Sequence, residues 1–111
     1  MYLYVELWKP RAKWVALSER ERRQYVAGIG PAIEELLAAG IELVGFAFND
    51  YDTGHRADYT YLAVWKMPSK ELAERLEATV DRSGFHDYFE QVNARGSAVT
   101  PQDALEHMAK V

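Results

Sequence analysis

The chain has no cysteine. Disulfides, thiolate zinc sites and a cysteine nucleophile are therefore excluded, and a reducing, cytoplasmic setting is expected. Long apolar runs are missing too. Nothing approaches the roughly 18 residues that cross a bilayer, so no membrane partner is expected. The start, Met1-Tyr2-Leu3-Tyr4-Val5-Glu6, lacks the basic flank and small-residue cleavage site of a signal peptide. There is no basic surplus, since 17 acidic residues outnumber 13 basic ones and leave a net charge of −4. Duplex nucleic acid requires a basic surface, so a nucleic-acid partner is not expected. Histidine is scarce, with three in the chain, and His55, His86 and His107 follow no metal-ligand spacing. No nucleophile elbow, phosphate-cradling loop or dinucleotide fingerprint occurs; Gly28 and Gly30 lie inside a helical pattern and precede Pro31. The chain reads as one without bound metal, haem or flavin.

What is present is the balance of one folded domain: 111 residues, 49% hydrophobic and 27% charged. Met1 to Trp8 alternates as a strand, with Leu3, Val5 and Leu7 on one face and Tyr2, Tyr4, Glu6 and Trp8 on the other. Pro10 is expected to end it, because proline donates nothing to a ladder. Ser18 with Glu21 forms a capping-box pattern that opens a helix. Its apolar stripe runs through Tyr25, Ile29, Ile33 and Leu36, with a kink expected at Gly28–Pro31 and a stop at Gly40. Ile41 to Phe48 reads as a second strand, with Val44, Phe46 and Phe48 on one face. Residues 49–58 read as a long hairpin loop, and Tyr59 to Lys66 as a third strand. Ser69 caps a second helix that bends at Gly84 and resumes through Phe85, Phe89 and Val92 at helical spacing. Thr100 followed by Pro101 opens a short terminal helix.

The order β-α-β-β-α gives an α+β class, most economically a ferredoxin-like antiparallel sheet with its helices on one face. Residues 1–96 form that unit and 97–111 a C-terminal extension with a short helix. If Leu62 and Val64 face the helices, the bare face carries Tyr2, Tyr4, Trp8, Tyr61 and Trp65. An exposed patch that aromatic implies a partner, and the least demanding one is a second copy through a two-fold axis. A homodimer through the aromatic face is the expectation.

Glu6 is the sharpest anomaly, a carboxylate in mid-strand among Tyr2, Tyr4 and Trp8. Burial would raise its pKa and suit it to general acid–base work; otherwise it accepts a hydroxyl and is structural. His86 could shuttle protons near neutral pH, or simply flank the stripe and pair with Glu90 four residues on. Tyr4, Trp8, Tyr61 and Trp65 could line an apolar ligand pocket or pack a closed interior. His55 with Asp50, Asp52 and Asp58 matches neither a calcium loop nor a zinc pattern and reads as a solvated turn. His107 offsets the terminal helix dipole.

The element order, the Tyr61-Leu62-Ala63-Val64-Trp65-Lys66 strand and the Gly84-Phe85-His86-Asp87-Tyr88-Phe89 segment resemble the dimeric α+β barrel superfamily. That group includes antibiotic-biosynthesis-type monooxygenases, haem-degrading enzymes, muconolactone isomerases and stress-responsive barrel proteins. Within it the chain resembles a small bacterial family without assigned function. The resemblance implies two sheets packed face to face in a homodimer, with pockets between sheet and helices. Members usually have a fourth strand, for which only Ser97–Thr100 is available here. Trp65 and His86 match the haem-degrading branch in type, but they stand too far apart and the first strand offers no asparagine. Two functions follow as expectations. One is cofactor-free binding or transformation of a small hydrophobic or aromatic molecule, with Glu6 and His86 as catalytic candidates. The other is a non-catalytic structural or stress-related dimer with a packed interior.

Overall fold

A computed structural model describes residues 1–111. Strand β1 (Tyr2–Pro10) leads into three short helices, α1 (Ala12–Val15), α2 (Glu19–Val26) and α3 (Ile29–Ala38). Strands β2 (Glu42–Phe48) and β3 (Tyr61–Met67) follow, then α4 (Lys70–Arg82), α5 (Phe85–Tyr88), β4 (Phe89–Ser97) and α6 (Pro101–Lys110). The strands form one antiparallel sheet in the order β2-β3-β1-β4. This is the ferredoxin-like α+β fold expected from the element order. No helix is long and apolar enough to cross a membrane.

Local chemistry sets the helix ends. Ser18 Oγ accepts from the Glu21 amide at 3.1 Å while Glu21 returns a carboxylate to the Ser18 amide at 2.9 Å, closing the capping box. The Gly28–Pro31 segment splits the helix into α2 and α3, and Pro31 falls in the first turn of α3, where no amide has an intrahelical partner. Gly40 takes a φ of 101° after α3, the left-handed conformation that ends helices. Pro10 stays inside β1 because it lies beyond the last β3 partner, Trp8, and opposes Phe89 of β4 alone.

Three expectations need correction. The helical reading of Phe89 and Val92 fails: after Gly84, at φ 78°, only one helical turn forms, and Phe89–Ser97 is the fourth strand. Ser97–Thr100 does not supply it. Without β4, one whole side of β1 would leave its backbone groups unpaired. Second, the sheet faces are reversed. Tyr4 and its register partner Trp65, with Ala63 opposite Glu6, are buried against Leu36, Ala73 and Leu76 of the helices. Leu3, Val5, Leu7, Leu62 and Val64 lie on the opposite, uncovered face. Both faces are apolar, so alternation alone could not say which one the helices cover. The aromatic face is therefore interior to one chain and is not a homodimer surface.

Third, a bulge between Leu43 and Gly45 leaves Val44 without a partner. The extra residue puts Leu43, Phe46 and Phe48 on the helix side, opposite Trp65, Ala63 and Tyr61, and turns Val44 outward to 60% exposure.

Helix α6 is capped by Thr100, whose Oγ1 accepts from the Asp103 amide at 3.1 Å. Leu105, Met108 and Val111 remain exposed along it, so it adds little to the core. Deleting residues 101–111 is expected to change the unfolding free energy by less than about 0.5 kcal/mol, measured by urea titration. A loss of several kcal/mol would show that the extension belongs to the folding unit.

Candidate functional site

Aromatic side chains on the covered face of the sheet hold the helices away from it. On one side Trp8 stacks on Tyr61 at 5.6 Å and meets the edges of Phe46 at 5.7 Å and Phe85 at 6.0 Å. On the other, Trp14 of α1 packs on Phe89 at 4.7 Å and on Tyr25 of α2 at 5.6 Å. The Tyr25 hydroxyl donates to the Ser83 carbonyl at 3.1 Å and ties α2 to the end of α4. Phe85 and Phe89 stack at 4.5 Å and join the two clusters, which line a cavity of about 870 Å³ walled further by the sheet, by Ile33 and Leu36 of α3 and by Leu76 and Val80 of α4. Ligand sites generally fall between about 300 and 1,000 Å³.

Glu6 is the only acidic or basic side chain in that wall. It is 6% exposed. Its Oε1 accepts from Trp65 Nε1 at 2.6 Å, and its Oε2 accepts from Gln91 Nε2 at 2.8 Å. Gln91 Nε2 also donates to Asn93 Oδ1 at 2.7 Å, whereas Gln91 Oε1 is buried with no partner. Burial pushes the Glu6 carboxyl above its ordinary range; the two hydrogen bonds and the charge of His86 only offset that rise. Tyr4 of β1 is raised first by its own burial and then by the charges of Glu77 and Glu6, with Arg95 of β4 acting against them. Arg95 is neutralised by Glu77 at 2.6 Å.

The structure brings Glu6, Trp8, Tyr61 and Trp65 together in one wall. Tyr4 lies outside it, buried in the core, and its hydroxyl is raised chiefly by that burial. His86 does not reach the cavity either. Its Nε2 sits 3.0 Å from Asp81 Oδ1, while Glu90 pairs instead with Lys9 at 3.4 Å. Loop residues 49–60 are pinned by Arg56, which donates to the carbonyls of Asp50 and Tyr59, both at 2.9 Å. Nowhere do three His, Asp or Glu side chains converge as metal ligands would. The residues missed from the sequence are Trp14, in a single turn after Pro10, and Gln91. Reading 89–97 with period two would have found Gln91, since it opposes Trp8 in register.

A model of a family of unknown function, DUF6616, matches residues 1–111. The chain belongs to that family. No curated protein matches it. Among solved structures it is similar to a protein assigned as a chlorite dismutase, with a TM-score of 0.61 and 12% identity over 88% of this chain. It spans 43% of that protein's length. A hypothetical Arabidopsis thaliana protein matches with a TM-score of 0.51 and 13% identity over 89% of this chain and 90% of its own. A dimeric ferredoxin-like protein from an uncultured marine organism matches with a TM-score of 0.51 and 17% identity, over 90% of this chain and 96% of its own. At these identities the likeness is one of fold.

Proposed function

We propose that this DUF6616 protein binds a small, largely apolar aromatic molecule between sheet and helices. Glu6 moves a proton to or from it without a cofactor. The observation that carries this reading is the 870 Å³ cavity whose single carboxyl is buried and whose lining holds no histidine, lysine or arginine. In the proposed step an X–H bond of the ligand breaks, its electron pair stays on the ligand, and an O–H bond forms at Glu6 Oε2. Returning that proton to another ligand atom yields an isomer, so atoms balance with no further reactant. A half-turn of the Gln91 amide offers Oε1 to the new hydroxyl, while Trp65 continues to donate to Glu6 Oε1. An open cavity also speaks against the packed, purely structural interior. We further propose a homodimer through the uncovered aliphatic face, as the dimeric ferredoxin-like neighbour suggests.

The test is Glu6 itself. A carboxyl raised in the folded state holds its proton where the unfolded chain has lost it. Stability therefore falls as pH rises from the ordinary carboxylate value through the raised one, and stays lower above it. Glu6→Gln is expected to remove that fall and to be no less stable than wild type near neutrality. Carbon-detected NMR of the Glu6 carboxyl alongside melts of both proteins measures it. A lowered pKa with a variant destabilised by about 1–3 kcal/mol would make Glu6 a structural anchor instead.

A further inference from the structure

Resting on that reading of the pocket, we infer that its ligand is uncharged and presents a hydrogen-bond donor to Glu6, so that phenols and enols are admitted and carboxylates and phosphate esters rejected. The inference follows from what surrounds the carboxyl. No lysine, arginine or histidine lines the cavity. Basic groups on the strands beside Glu6 are engaged elsewhere: Arg95 with Glu77 and Lys9 with Asp58 and Glu90, while His86 Nε2 sits 3.0 Å from Asp81 Oδ1. An anion entering the pocket would meet one buried carboxylate and no counter-charge, in a wall of low polarity where such repulsion is little screened.

The polar groups point to the same class. Trp65 Nε1 and Gln91 Nε2 each already donate to Glu6, so the carboxylate's remaining capacity is to accept. A bound hydroxyl can use it and an ether cannot. The Tyr61 ring stacked on Trp8, with Phe46 edge-on, offers flat apolar surfaces suited to a planar ring system.

Three probes of nearly equal size separate the possibilities: 2-naphthol, 2-methoxynaphthalene and 2-naphthoate. Trp8, Trp14 and Trp65 are all of the chain's tryptophans and all line the cavity, so their indole N–H resonances report binding directly. Near neutral pH, 2-naphthol is expected to bind about tenfold or more tightly than the methyl ether, with Trp65 shifting most. Naphthoate is expected to be weakest. In Glu6→Gln the naphthol preference over the ether should shrink and naphthoate should gain. Naphthoate binding wild type as tightly as naphthol would overturn the charge assignment while leaving the pocket intact. Equal binding of naphthol and its ether would overturn the donor assignment. Failure of all three to move the indole resonances would overturn the pocket reading itself, and this inference with it.

Discussion

Val64→Lys is expected to convert a species of twice the chain mass into a monomer of 12.7 kDa. Val64 opposes Val5, on β3 and β1, the two central strands of the sheet. On the same face Leu3, Val44 and Val92 are 38%, 60% and 41% exposed in the single chain. A contiguous aliphatic surface of this kind is rare on monomers. Around a two-fold axis the residues at the centre meet their own copies, so one substitution places two ammonium groups together out of water. Breaking an interface this way costs several kcal/mol, and a weakening of association by about 100-fold or more is expected. In the isolated chain the same lysine can reach solvent, so the melting curve of the monomer should shift little. Sedimentation of wild type and variant at micromolar concentration decides it. A wild-type monomer, or a variant that stays dimeric, would remove the uncovered face as an interface.

Trp65→Ala is expected to cost about 3–5 kcal/mol of stability, much of the roughly 5–15 kcal/mol a domain this size has. Trp65 is 2% exposed, and Phe46 meets its ring edge-on at 5.9 Å. Truncation enlarges the cavity and removes the donor to Glu6 Oε1 at the same time. Trp65→Phe removes the same donor with a smaller loss of volume. It keeps one six-membered ring and loses the pyrrole half of the indole with its N–H, so a loss of about 1–3 kcal/mol is expected, along with a further rise in the Glu6 pKa. Urea midpoints give the stabilities, and the carboxyl titration gives the pKa. Unchanged Glu6 titration in Trp65→Phe would mean that the indole does not hold the carboxylate.

Sequence alone reveals what local chemistry decides and misses what depends on distant partners. Ser18, Ser69 and Thr100 announce helix starts because each accepts from an amide three residues on. Glu6 stands out because a carboxylate is costly among aromatic rings wherever the strand is placed. Strand β4 was hidden because its helix-side residues Gln91, Asn93 and Arg95 are polar, and only the need of β1 for a second neighbour makes them a strand. The pocket was hidden by symmetry of composition. Aromatic and aliphatic faces are both apolar, and the choice between them is made by helices that need long side chains to bridge to the sheet. Gln91 fell with the strand that carries it.

The irregularity at Val44 has a second effect, at the boundary of the sheet. With the strands ordered β2-β3-β1-β4, β2 is an outer edge, and an outer edge offers a row of free N–H and C=O groups to any extended chain. The inserted residue interrupts that row and adds local twist. The same residue that aims Phe46 and Phe48 at the pocket thus denies β2 a regular template for strand addition, and guards that margin against edge-to-edge aggregation.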